Sequence, residues 1–148
     1  METFNDYVKN APVADRVIVL HHAGSHGPAY YRRYPKEFEK FAPACNTNAI
    51  QGCSQQALIN TYDNTILYTD YIVAQTINTL IKDAKDYQTA LWYVSDHGES
   101  TGERLYLHGA PYMFAPSQHI PMFAWFSPIT IATAPVKLLF SVVTALKP

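Results

Sequence analysis

The stretch Leu-Trp-Tyr-Val-Ser-Asp-His-Gly-Glu-Ser at residues 91–100 constrains the chain most. Its first half is apolar and β-prone and reads as a buried strand, which Gly98 breaks directly after Asp96 and His97. A carboxylate and an imidazole thus stand side by side where a strand runs out. In open α/β sheets ligands bind in the crevice beyond the carboxyl ends of the strands, so this pair reads as half of a metal site. A plainer reading makes Asp96 a turn cap and His97 a polar loop residue, and a short motif alone does not separate the two.

The same pattern recurs. Residues 16–20 form a second apolar run, read as a strand, and lead into His21, His22, Gly24, Ser25, His26, Gly27 and Pro28. The glycines permit a tight, backbone-exposed loop, so His26 is expected to point into the crevice of His97. His108 likewise precedes a glycine, and residues 120–126 read as a third strand with Pro121 at its start or edge. The longest regular element is residues 54–82. Ile59, Tyr62, Ile66, Val73, Ile77 and Ile81 recur there at helical spacing, Ser54 is a fitting N-cap, and one face is expected to pack on the sheet. Residues 1–10 read as the tail of a helix that Pro12 interrupts. Three strands, a long helix and short loops predict an α/β layered architecture.

Composition narrows the function classes. With 48% apolar and 16% charged residues the chain is globular, and a net charge of -1 provides no basic field for nucleic acid. Arg32 and Arg33, set among Tyr30, Tyr31 and Tyr34, read as a solvated face, with a phosphorylated or acidic ligand as the alternative. Cys45 and Cys53 flank a short polar loop that a disulfide can close, whereas zinc would favour C-x-x-C pairing; a bridge would imply an oxidising compartment. No signal peptide is expected, because the N-terminus lacks a basic region followed by an apolar run. Residues 129–148 make a poor membrane span, since Pro135 and Lys137 interrupt them.

Taken together, the stretches Leu20-His21 with Gly24 to Pro28, Tyr31 to Phe41, the Cys45 and Cys53 loop, Thr61 to Thr65, Ser95 to Ser100, Leu107-His108-Gly109 and His119 to Met122 occur in one order. In that order the chain resembles the later part of the periplasmic catalytic domain of lipid A phosphoethanolamine transferases. That group includes the mobile colistin-resistance enzymes, whose activity gives polymyxin resistance, and belongs to the alkaline phosphatase and sulfatase superfamily. The resemblance implies an α/β fold forming part of an alkaline-phosphatase-like α/β/α sandwich. Residues 1–127 would be the later part of the sulfatase-like catalytic domain and residues 128–148 an apolar tail outside the pattern.

The resemblance also implies a chemistry. Zinc would be held by Asp96 and His97 together with an upstream Glu and a nucleophilic Thr, and His26 and His108 would bind the phosphoryl group or a second metal. The Thr would take phosphoethanolamine from phosphatidylethanolamine, and a lipid A phosphate would accept it, at the periplasmic face of the inner membrane. In the family five membrane helices precede this domain. Thr3 is the one threonine before residue 16, and its surroundings do not match the family's nucleophile. The chain is therefore expected to be a fragment without transferase activity alone. Alternatives are another superfamily hydrolase, such as a sulfatase or phosphodiesterase, and a non-catalytic metal-binding remnant; the Cys45 and Cys53 loop and the His26 motif argue against the hydrolase.

Overall fold

The computed structural model describes residues 2–102, 106–107 and 120–133. Its frame is a 29-residue helix, α2 (Gln55–Asp83), preceded by the shorter α1 (Glu2–Asn10). Both match the helices read from the sequence. Ser54 is extended and its hydroxyl accepts from the Ala57 N–H at 3.2 Å, which satisfies one of the donors orphaned at a helix start.

The face that α2 buries differs from the isoleucine stripe. Ile66 and Ile81 are about half exposed, while Asn60, Thr61, Asn64, Thr65, Thr69 and Thr76 are buried with Ala57 and Leu58. The physical reason lies in what covers the helix. Besides the strands at residues 90–94 and 100–101 that touch it, an irregular segment at residues 40–47 crosses it, and its backbone N–H and C=O groups need partners there. Asn64 supplies three: its Oδ1 accepts from Lys40 N at 2.8 Å and Phe41 N at 2.9 Å, and its Nδ2 donates to Phe41 O at 3.0 Å. Thr61 Oγ1 accepts from Cys45 N at 2.6 Å, and Asn60 Nδ2 donates to Pro43 O at 3.0 Å.

Short 3-10 turns at Tyr30–Arg32, Lys36–Phe38 and Ile50–Gly52 fold the first half of the chain onto α2. Tyr30, Cys45, Ile50, Ala57 and Leu58 form the core cluster, with Cys53 and Tyr62 packed against it. The Cys45–Cys53 disulfide expected from the spacing is formed, with Cα atoms 5.8 Å apart. Replacing both cysteines by serine is expected to cost about 2.5 kcal/mol, the chain-entropy estimate for a loop of about nine residues. Denaturant titration of the oxidised protein and the double variant checks this, and equal midpoints would contradict it.

The strands depart most from expectation. β1 (Ala90–Val94) pairs antiparallel with β4 (Met122–Phe126), with Leu91 opposite Trp125 and Tyr93 opposite Phe123. A second ladder joins β2 (Ser100–Thr101) to β3 (Tyr106–Leu107). Residues 16–20 form no strand, and Val17 is 94% exposed. An apolar run becomes a strand only where a neighbour completes its ladder, and among the described residues none lies alongside it. β1 is paired with β4 but not buried, because among the described residues one of its faces is uncovered: Leu91 and Tyr93 are half-buried, but Trp92 is 74% exposed on the opposite face. After β4, Ser127 caps α3 (Pro128–Thr133), its hydroxyl accepting from Thr130 N at 3.3 Å. No helix among the described residues is long and apolar enough to cross a membrane.

Candidate functional site

The loop leaving β1 carries the Asp-His pair. Ser95 N donates to Pro121 O at 3.1 Å, which ties the end of β1 to the start of β4, and Ser95 Oγ donates to His97 O at 2.6 Å. Asp96 folds back so that its Oδ1 accepts from the His97 N–H at 3.0 Å. Its side chain is 88% exposed, whereas that of His97 is 33% exposed.

His97 Nδ1 lies 2.8 Å from Gly98 O. A carbonyl oxygen only accepts, so Nδ1 carries the hydrogen, and in the neutral ring Nε2 carries the lone pair. That Nε2 is 3.8 Å from Asp96 Oδ2. Two donors each about 2.0–2.2 Å from one zinc ion can stand up to roughly 4 Å apart, so the spacing fits a shared cation. Such fixing of the second ring nitrogen is also the usual device for orienting a ligating histidine.

His26 repeats the arrangement. Its Nδ1 donates to Gly27 O at 2.8 Å, leaving Nε2 as the acceptor, and its ring stands edge-on to His97 with centroids 6.1 Å apart. The turn before it is closed by His26 N donating to Ala23 O at 3.3 Å and passes through Gly24 at φ 48°, a left-handed conformation that suits glycine. Of the residues expected to converge, His26 and His97 are thus found with their rings side by side. His108, the fourth expected member, lies outside the described residues. No group of three or more His, Cys, Asp or Glu side chains among the described residues is arranged to hold a metal. Asp96 and His97 thus offer two donors of the three that a catalytic zinc site generally takes.

Glu99 was not picked out from the sequence. It is 3% exposed, its Oε2 accepts from Tyr30 OH at 3.1 Å, and its Oε1 accepts from Gly27 N at 3.4 Å. Burial, and then the adjacent Glu99 carboxylate, push the Tyr30 hydroxyl well above the usual tyrosine range, so it remains a donor. The signal lay in Tyr30, a large aromatic with a hydroxyl that needs a partner once buried. Arg33, read as solvated, donates from Nε to His26 O at 3.1 Å and so also touches this turn.

Residues 1–141 match the sulfatase family. Phosphoethanolamine transferase EptA of Salmonella typhimurium is 55% identical over 130 residues, which are 86% of this chain and 23% of that relative. The chain thus spans less than a quarter of the length of that curated relative. Among solved structures, the C-terminal periplasmic domain of phosphoethanolamine transferase EptC from Campylobacter jejuni is 55% identical with a TM-score of 0.66, over 73% of this chain and 36% of that one. The integral membrane protein lipooligosaccharide phosphoethanolamine transferase A from Neisseria meningitidis is 47% identical with a TM-score of 0.81, over 90% of this chain and 25% of that one. With residues 1–141 matched and most of the chain aligned to these domains, the protein belongs to the sulfatase family and takes up part of the alkaline-phosphatase-like α/β fold of phosphoethanolamine transferases.

Proposed function

We propose that this chain is part of a zinc-dependent transferase that moves phosphoethanolamine from phosphatidylethanolamine to lipid A at the periplasmic face of the inner membrane. The observation that carries the reading is the Nε2 and Oδ2 pair at 3.8 Å beside the His26 ring, in a chain closely similar to phosphoethanolamine transferases. Asp96 and His97 would hold the zinc. When bound, zinc lowers the pKa of a nucleophilic hydroxyl and neutralises phosphoryl charge. His26, with Nδ1–H tied to Gly27 O, presents Nε2 towards the same space. When protonated there it donates to a phosphoryl oxygen and orients it. The family resemblance gives His108 the same role. The oxidising periplasm is also the compartment that suits the Cys45–Cys53 bridge.

These 148 residues alone are proposed not to complete the transfer, because the described residues bring two zinc donors together and no threonine before residue 16 matches the nucleophile. Incubation with zinc and phosphatidylethanolamine should leave the chain unmodified by mass spectrometry, and a stoichiometric phosphoethanolamine adduct would overturn this. Zinc titration by calorimetry tests the site itself. Weak binding, in roughly the micromolar range or above, is expected for a two-donor site, and Asp96→Ala or His97→Ala should weaken it beyond detection. Unchanged binding in both variants would refute the assignment.

A further inference from the structure

We propose that residues 136–147 form an amphipathic helix that covers the outer face of the β1–β4 sheet. Both strands contain only aliphatic, aromatic and methionine side chains, and strands apolar on both faces belong to sheets packed between two layers. One layer is present: α2 touches β1, whose Leu91 and Tyr93 are half-buried. On the opposite face the register sets Trp92 beside Ala124 and Val94 beside Met122. Trp92, Val94 and Met122 are each more than half exposed, a contiguous apolar patch of the kind that marks an interface. The apolar run at residues 16–20 does not supply the second layer, since Val17 and Val19 are themselves almost fully exposed.

The chain delivers its own cover to that place. Ser127 N and Thr130 Oγ1 both donate to Thr89 O, at 2.9 and 3.2 Å, so α3 starts beside the residue that precedes β1. Residues 134–148 follow α3 and lie outside the described residues. Pro135 disfavours a helical Ala134, so the chain turns there and can run back along the sheet from its Ala90 end. Beyond the turn the pattern is helical. Lys137, Ser141 and Thr144 recur at i, i+4 and i+7, which gathers Leu138, Leu139, Val142, Val143 and Leu146 on the other side. Residues 136–147 as a helix span about 18 Å and a five-residue strand about 17 Å, so cover and face match in length. Lys147 would stand in the last turn, where a cation complements the helix dipole. A strand in the same place would extend the ladder at an edge and leave the face bare.

The test puts the photoreactive residue p-benzoylphenylalanine in place of Trp92 in the 148-residue chain, irradiates it at low protein concentration and maps the cross-link by mass spectrometry. The expected product has the mass of one chain, with position 92 joined to a peptide within residues 136–147. The same probe in place of Tyr93, on the opposite face, should not capture that segment. Leu139→Asp combined with Val143→Asp should lower capture by about tenfold or more, because the helix would then have to bury charges that have no partner. Ser141→Asp, on the polar side, should leave capture unchanged. A product of twice the mass would assign the face to a second copy, and capture of another segment, or of none, would leave the tail off the sheet; each result overturns the proposal. Equal capture from positions 92 and 93, or an equal loss in Ser141→Asp, overturns it as well, since the contact would then have no preferred face. Where the double aspartate variant fails to fold, the map from position 92 and the Ser141→Asp variant decide.

Discussion

Asn64→Ala should lower the stability of the protein by about 3 kcal/mol, well beyond the usual effect of a single substitution. The residue is fully buried, and its amide satisfies two backbone N–H groups and one carbonyl of residues 40–41. Truncation leaves all three without this partner where water has little access. Asn64→Asp separates the two halves of the amide, because a carboxylate still accepts from Lys40 N and Phe41 N but faces the Phe41 carbonyl with a second acceptor. Burial and that carbonyl favour the protonated form and are expected to outweigh the two N–H groups that favour the carboxylate, so the folded pKa of the introduced carboxyl should lie above its unfolded value. The resulting penalty is present above the folded pKa and fades as pH falls towards the unfolded value of about 3.9, where the protonated carboxyl donates to Phe41 O. Denaturant midpoints of both variants between acid and neutral pH check this. A pH-independent loss for Asn64→Asp would show that the Phe41 carbonyl is not the group that matters.

Tyr30→Ala is expected to cost about 4 kcal/mol, the middle of the range for removing a buried aromatic. Against a typical total of about 5–15 kcal/mol, that leaves the chain close to its unfolding threshold. The ring is 1% exposed, stands edge-on to Tyr62 with centroids 5.6 Å apart, and carries the hydroxyl that donates to Glu99. Tyr30→Phe keeps the packing and removes only the donor, at about 2 kcal/mol, because Glu99 is left with an unmet oxygen in a buried place. Thermal unfolding of the pair separates the two contributions. Equal losses would mean that the hydroxyl carries the whole effect.

Local signals were read correctly where the chain itself contains the physics. Ser54 caps α2 and the two cysteines bridge, because a helix start and a short covalent loop depend on residues close in sequence. The meeting of His26 with His97 was legible for another reason: both follow apolar runs and precede glycines, a pattern for chain ends that converge. The sheet was not legible. Residues 16–20 have the composition of a strand, but pairing is settled by a neighbour, and here β1 takes β4 in antiparallel register. Periodicity also misplaced the buried face of α2, since the isoleucine stripe ignores the needs of an irregular segment lying across the helix. Asn60, Thr61 and Asn64 meet those needs, and nothing in helical spacing announces backbone groups that arrive from elsewhere in the chain. Glu99 escaped notice for the same reason, since its partners are contributed by residues 27 and 30.

The antiparallel register of β1 and β4 also decides what light can report about this molecule. The chain has two tryptophans, and both fall in that one sheet: Trp92 lies opposite Ala124 on the exposed face, and Trp125 lies opposite Leu91 on the other. Selective excitation of indole therefore watches the sheet alone, from one face through Trp92 and from the other through Trp125. Far-ultraviolet circular dichroism is dominated by α2, at the other end of the packing hierarchy. A melt followed by both signals compares the sheet with the helical core directly, and coincident transitions would mark them as one cooperative unit.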